Sequence, residues 1–296
     1  MELVHSREGL AVARVSSYMS SPVYVVRPSD TLAYARNLML SKDISRLVVV
    51  DDYMKPVGMI SITDIANTLV SRPESTLDEV LVRDVMSVDV KVVEYNKTVK
   101  TAAYMMLKYG VGGLPVIDEN GELVGVITRS DIMRAFSERY RSVFKVEEIA
   151  RKDVSIAKRS HSVSYVVKLL NTDPSAKVIV VDDEGRPAGV ITRRDIAFLE
   201  PLLLARRGRE AFTKRKAESP LVEGKLTLTR KYLVPLAEDI MTPDPVLAFL
   251  GEDAAVASSR MVERRIGCLP VVDENRLLKG VLTKREILLA IVAKKV

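Results

Sequence analysis

The chain has one cysteine, two histidines and no tryptophan in 296 residues. A single thiol, Cys268, excludes an internal disulfide. It has no histidine near it in sequence, which favours a small buried residue over a nucleophile. His5 and His161 lie far apart, and neither has a cysteine or a second histidine at ligand spacing, so no metal site is expected. Aromatic residues make up only 5%. No apolar run approaches the roughly 18 residues that a membrane span requires. The opening Met1-Glu2-Leu3-Val4-His5-Ser6-Arg7-Glu8 carries acids where a signal peptide has its apolar core. Walker-type loops and GxGxxG are both missing. Together these absences predict a soluble, cytoplasmic protein with no catalytic constellation and no catalytic cofactor, and therefore not an enzyme.

What is present is repetition. Hydrophobic residues reach 47%, mostly Val, Leu, Ile, Ala and Met, enough for packed α/β layers. One phrase occurs four times: Gly58-Met59-Ile60-Ser61-Ile62-Thr63-Asp64, Gly125-Val126-Ile127-Thr128-Arg129-Ser130-Asp131, Gly189-Val190-Ile191-Thr192-Arg193-Arg194-Asp195 and Gly280-Val281-Leu282-Thr283-Lys284-Arg285-Glu286. Self-similarity at this period marks a repeat protein. Around each phrase the pattern predicts β-α-β-β-α. A short strand comes first (Val23 to Val26, Val90 to Val93, Val154 to Ala157, Val246 to Phe249). In three repeats a methionine and a hydroxyl announce it: Met19-Ser20, Met86-Ser87 and Met241-Thr242. The third repeat has Ala150-Arg151 instead. A polar cap and an apolar-periodic helix follow, as in Leu32 to Leu40 and Val99 to Leu107. A β-branched strand then ends in Asp (Leu47 to Asp51, Leu114 to Asp118, Val178 to Asp182, Leu269 to Asp273), and a turn leads to the strand before the phrase. A second helix starts at the phrase itself. Units this small cannot easily bury their own sheets, so they are expected to pair.

Each phrase supports two readings. Ser or Thr followed three residues later by an acid is a capping box, in which the acid reaches back to the N–H of the cap. The same geometry suits a phosphorylated ligand: a helix start offers free N–H groups and a positive partial charge, and an acid one turn inward can accept from ribose hydroxyls. In three repeats the intervening positions are basic (Arg129, Arg193-Arg194, Lys284-Arg285), which suits an anion.

On these residues the chain resembles the CBS-domain family, named for cystathionine β-synthase, over almost everything outside one insertion. The match is best in repeat 2, where Gly110-Val111-Gly112-Gly113-Leu114-Pro115 precedes Gly125 to Asp131. The resemblance implies an α/β fold of α+β layers: four CBS motifs in two pseudo-twofold pairs forming a disc, similar to the γ regulatory subunit of AMP-activated kinase. It places the motifs at 10–72, 78–140, 144–200 and 236–296, with the insertion at 201–235. It also implies an adenosyl ligand at the pair seams: AMP, ADP, ATP or S-adenosylmethionine. Carried over, Asp131 holds the ribose and Thr128 a phosphate with Arg129 beside it, while Gly113, Leu114, Pro115 and the strand around Val90 enclose the base. In repeat 1, Ser61 and Asp64 match, Val48 replaces the proline, and Arg46 can reach phosphate. In repeat 3, Thr192, Arg193 and Asp195 match, Ile179 replaces the proline, and Lys177 can meet an anion. In repeat 4, Arg265 to Pro270, Thr283 and Lys284 match, but Glu286 stands in place of the Asp and its longer arm misplaces the carboxylate. The expected order of occupancy is repeat 2, then 1, 3 and 4.

The insertion carries nine basic and four acidic residues between Glu200 and Pro235, against a whole-chain excess of six. It reads either as a solvated helix and linker or as a docking element for RNA, the ribosome or an acidic protein face, through Arg206, Arg207, Arg209, Lys214, Arg215, Lys216, Arg230 and Lys231. The expectation is a non-catalytic, nucleotide-sensing regulator that signals to such a partner. The alternative is a regulatory subunit of an enzyme, kinase or transporter, with a structural insertion. A homodimer is left open.

Overall fold

The structure, a computed structural model, describes residues 13–71, 74–197 and 235–294. The chain divides into two compact units. One holds the chain up to Lys152 with Val246–Asn275 and from Lys279 onward. The other holds Asp153–Pro245 and Arg276–Leu278. The expected β-α-β-β-α order appears four times. Repeat 1 is β1 (Val25–Val26), α1 (Leu32–Ser41), β2 (Arg46–Val50), β3 (Pro56–Ser61) and α2 (Ile62–Ser71). Repeat 2 is β4 (Val93–Glu94), α3 (Val99–Lys108), β5 (Gly113–Ile117), β6 (Leu123–Thr128) and α4 (Arg129–Arg139). Repeat 3 is β7 (Ile156–Lys158), α5 (Val163–Thr172), β8 (Lys177–Val181), β9 (Pro187–Thr192) and α6 (Arg193–Ala197). After a linker strand, β10 (Thr242–Pro243), repeat 4 is β11 (Ala248–Phe249), α7 (Ala254–Glu263), β12 (Cys268–Val272), β13 (Leu278–Thr283) and α8 (Lys284–Ala293). Each repeat builds its own small sheet. In repeats 1 to 3 the first strand runs parallel to the second, and the third returns antiparallel.

The leading strands are shorter than their β-branched sequences predict. Only Val25 and Val26, and only Val93 and Glu94, join a ladder, so Val90 lies outside it. The residues just before leave the sheet to meet the end of the neighbouring helix. Lys42 sits 5.0 Å over the Tyr24 ring, and in the next repeat the types are exchanged, with Lys91 5.2 Å over Tyr109. The first helices begin at a hydroxyl cap in three repeats: Thr31, Thr98 and Ser162 accept from the N–H of Tyr34, Thr101 and Tyr165.

The linker ahead of the first strand of each repeat docks on another repeat. Ser20, ahead of repeat 1, makes an antiparallel bridge to Val126 of repeat 2, and Ser87, ahead of repeat 2, bridges Met59 of repeat 1. Arg151, ahead of repeat 3, bridges Val281 of repeat 4, and Thr242, ahead of repeat 4, pairs with Val190 of repeat 3. Each bridge lies one residue past a signature glycine, which explains those glycines. A Cβ on Gly58, Gly125 or Gly189 would run into the Sδ of Met86, Met19 or Met241, and a Cβ on Gly280 would lie 2.8 Å from the Arg151 carbonyl oxygen. The exchange of linkers locks repeats 1 and 2 together within the first unit.

The largest buried cluster in that unit joins repeats 2 and 4. Ala102, Ala103 and Met106 of α3, Ile132, Met133, Ala135 and Phe136 of α4, Ala254, Ala257 and Met261 of α7, and Ile287, Leu288 and Ile291 of α8 are all nearly or fully buried. Alanine at the crossing positions lets the helix backbones approach closely. In one such place the Ser258 hydroxyl donates 3.0 Å to the Met133 carbonyl. Among the described residues no helix is long and apolar enough to cross a membrane.

Candidate functional site

The four phrases fold alike. The third strand of each sheet delivers the hydroxyl to the start of the second helix, and the acid one turn on folds back to it. Ser61 donates to Asp64 Oδ2 from its backbone N (2.8 Å) and from its hydroxyl (2.6 Å). Thr128 does the same to Asp131 Oδ2 at 2.8 and 2.7 Å, and Thr192 to Asp195 Oδ2 at 2.7 and 2.8 Å. The capping box is therefore realised, and it engages one carboxylate oxygen only. Oδ1 of Asp131 has Arg134 at 3.7 Å, and the side chain keeps 13% exposure. That oxygen is placed to accept a further hydroxyl. Ser61 and Thr128 use their single hydroxyl proton on the acid, so each holds the carboxylate in position and has no proton left for a phosphate.

Repeat 4 closes on itself. Thr283 and Glu286 are 2% and 4% exposed. Glu286 Oε2 takes the Thr283 N–H at 3.2 Å and also the Thr283 hydroxyl, and Oε1 faces Arg151 Nε at 3.8 Å. The extra methylene of Glu turns the carboxylate into the interior, where a guanidinium meets it.

Basic residues gather around repeats 1 and 2. Arg46 opens β2, opposite Ser61 in the ladder. Its guanidinium lies against Gly112, where any Cβ would collide with it, and its Cδ would lie 3.8 Å from a Cβ on Gly113. Arg129, the first residue of α4, donates from Nη2 to the Val111 carbonyl at 3.0 Å, and its Nε is buried without a hydrogen-bond partner. Burial is the main cause that lowers the pKa of Arg129, and the positive charges of Arg46 and Arg285 lower it further. The pKa of Arg46 is likewise lowered by burial, partly offset by Asp64. Guanidiniums from repeats 1, 2 and 4 thus converge, and none forms an ion pair among the described residues. Lys284 reaches the same place, its Nζ 2.7 Å from Ser130 Oγ. Arg285 is the member that repeat matching undervalues; the clue to it is the basic pair between hydroxyl and acid.

Other expected residues fall apart from this cluster. Leu114 is fully buried in the core. Strand alternation turns it away from the face that carries Gly113 and Pro115, so its side chain cannot enclose a base. Lys177 pairs with Thr192 in the repeat 3 sheet, with Asp195 below it, while Arg193 is exposed. Arg206, Arg207, Arg209, Lys214, Arg215, Lys216, Arg230 and Lys231 lie outside the described residues. No group of three or more His, Cys, Asp or Glu suited to a metal ion occurs among the described residues.

A family profile for the CBS domain matches residues 15–71, 82–138, 146–200 and 237–293. The uncharacterized protein MJ1225 of Methanocaldococcus jannaschii is 26% identical over 280 residues, covering 90% of this chain and 94% of that one. The crystal structure of MJ1225, described as a proposed archaeal homologue of g-AMPK, superposes with a TM-score of 0.70 at 24% identity, covering 94% and 99% of the two chains. An uncharacterized conserved protein from Pyrococcus horikoshii gives 0.67 at 22% identity, covering 94% and 100%. Inosine-5'-monophosphate dehydrogenase of M. jannaschii is 35% identical over 119 residues, 40% of this chain but 22% of that enzyme. Four matched segments, covering most of the sequence, show that the chain belongs to the CBS domain family.

Proposed function

We propose that the chain is a non-catalytic regulator that binds an adenine nucleotide at the seam of repeats 1 and 2. The observation that carries this is the gathering of Arg46 against Gly112 and of Arg129 against Val111, with Arg285 close enough to act on Arg129, and none of the three in an ion pair among the described residues. Half-buried like charges repel, and a polyphosphate is the group that relieves them, through charge-assisted hydrogen bonds worth about 1.5–3 kcal/mol each. CBS pairs commonly take adenosine ligands as regulators. The ribose sits on Oδ1 of Asp131, with Thr128 orienting the acid and the backbone of Gly113 and Pro115 beside the base. Asp64 and Asp195, with Lys177 near the latter, are secondary sites, and the closed Glu286 is not a site.

S-Adenosylmethionine is disfavoured, since its sulfonium adds a positive charge to three already close together. Binding would bias the relative arrangement of the repeats, and a partner reads the result. We take that partner to be RNA or the ribosome, engaged by the basic stretch from Arg206 to Lys231. An enzyme or transporter partner, with a structural insertion, is the alternative. Calorimetric titration tests the ligand reading. ATP and ADP bind more tightly than AMP, and S-adenosylmethionine binds weakest. Equal or tighter binding of the sulfonium compound overturns the proposal.

A further inference from the structure

One of the four linker crossings has Ala150-Arg151 where the others have a methionine and a hydroxyl, and a cavity lies beside it. At three crossings the residue before the bridge is Met19, Met86 or Met241, and its unbranched thioether covers the signature glycine of the motif on which it docks. At the fourth it is Ala150, whose Cβ comes no nearer than 3.7 Å to a Cβ position on Gly280. A cavity of about 520 Å³ lies there, lined by Ala150, Gly280, Leu250 and Val271, with Glu147, Lys152 and Lys279 around it. That volume is in the range of small-molecule sites. Val271 is fully buried in the core, so the cavity reaches apolar interior. Of the charged residues, Lys279 pairs with Asp273 at 3.2 Å. Glu147 and Lys152 form no ion pair among the described residues. The mouth therefore offers one carboxylate and one ammonium, and its floor is the slot that a methionine side chain fills elsewhere in the same fold.

We propose that this cavity binds a free α-amino acid with an unbranched apolar side chain. The ligand's ammonium meets Glu147, its carboxylate meets Lys152, and its side chain lies over Gly280 in the slot that Ala150 leaves open. This site is independent of the arginine cluster, so either can fail without the other.

The test is calorimetric titration of the full chain with L-methionine, L-norleucine and L-leucine. Methionine and norleucine bind saturably, and leucine, whose branched side chain differs from the thioether that fills the slot at the other crossings, binds at least about tenfold more weakly. Ala150→Met supplies the missing side chain from within. It abolishes amino-acid binding and raises the thermal midpoint, as cavity filling does. Lys152→Glu alters an exposed side chain, so it keeps the fold and weakens methionine binding at least about tenfold. Circular dichroism and urea unfolding of the same samples show that each variant is folded. No saturable binding of methionine, equal binding of leucine, or unchanged binding in Ala150→Met each overturns the proposal.

Discussion

Asp131 caps a helix and, in the proposed function, also holds the ribose, and two substitutions separate the two roles. Its Oδ2 takes the Thr128 backbone N–H and hydroxyl at 2.8 and 2.7 Å, which is the cap. Its Oδ1, 3.7 Å from Arg134, is the oxygen that the proposed function assigns to a ribose hydroxyl. In Asp131→Asn the amide oxygen can keep the cap bonds, and the amide nitrogen then replaces the ribose acceptor with a donor. In Asp131→Ala both are lost. Losing a cap costs about 0.5–2 kcal/mol of stability. Losing a charged acceptor to a ligand hydroxyl costs about 1.5–3 kcal/mol, or roughly 10- to 150-fold in affinity. Asp131→Asn should therefore unfold at nearly the wild-type denaturant midpoint while binding ATP at least about tenfold more weakly. Asp131→Ala should lose both. The assays are urea unfolding followed by circular dichroism, and calorimetry with ATP. If Asp131→Asn binds ATP like the wild type, the carboxylate does not face the ligand. The four acids are then caps only.

Two further perturbations probe the linkers and the basic stretch. Gly125→Ala drives a methyl into the Met19 thioether and should destabilise by about 1–3 kcal/mol in urea unfolding. Adding Met19→Ala should recover part of that loss, and strictly additive effects would show that the linker does not cross there. Replacing Arg206, Arg207, Arg209, Lys214, Arg215 and Lys216 with Gln should flatten the salt dependence of RNA or ribosome co-sedimentation, since each lost phosphate contact removes about 0.7–0.9 from the logarithmic slope. An unchanged slope assigns those charges to a solvated linker.

What the sequence discloses and what it hides follow from the range of the forces involved. Helix and strand order in all four repeats is legible because periodicity and caps are local: Thr31 and Thr98 announce their helices within three residues. The strand at Val90 is overread, because β-branched residues mark strand propensity while pairing with a distant strand decides the ladder, which here takes only Val93 and Glu94. The alternation that buries Leu114 is readable, yet motif matching carries it into the site with its neighbours. The linker exchange is not legible at all. Met19 precedes the first strand of its repeat, and nothing within that repeat says that it covers Gly125, some hundred residues on, in place of Gly58. The arginine cluster lies between these extremes. Arg46 and Arg129 each stand out beside a helix start, but their meeting with Arg285 needs three repeats folded against one another. A site assembled from one residue per repeat leaves no spacing in the sequence, whereas a departure from the repeat does. Ala150 against three methionines, and Glu286 against three aspartates, stand out as exceptions in the amino-acid sequence alone. Both mark places where the fold does something different: an open slot in one case, and an acid turned onto Arg151 in the other.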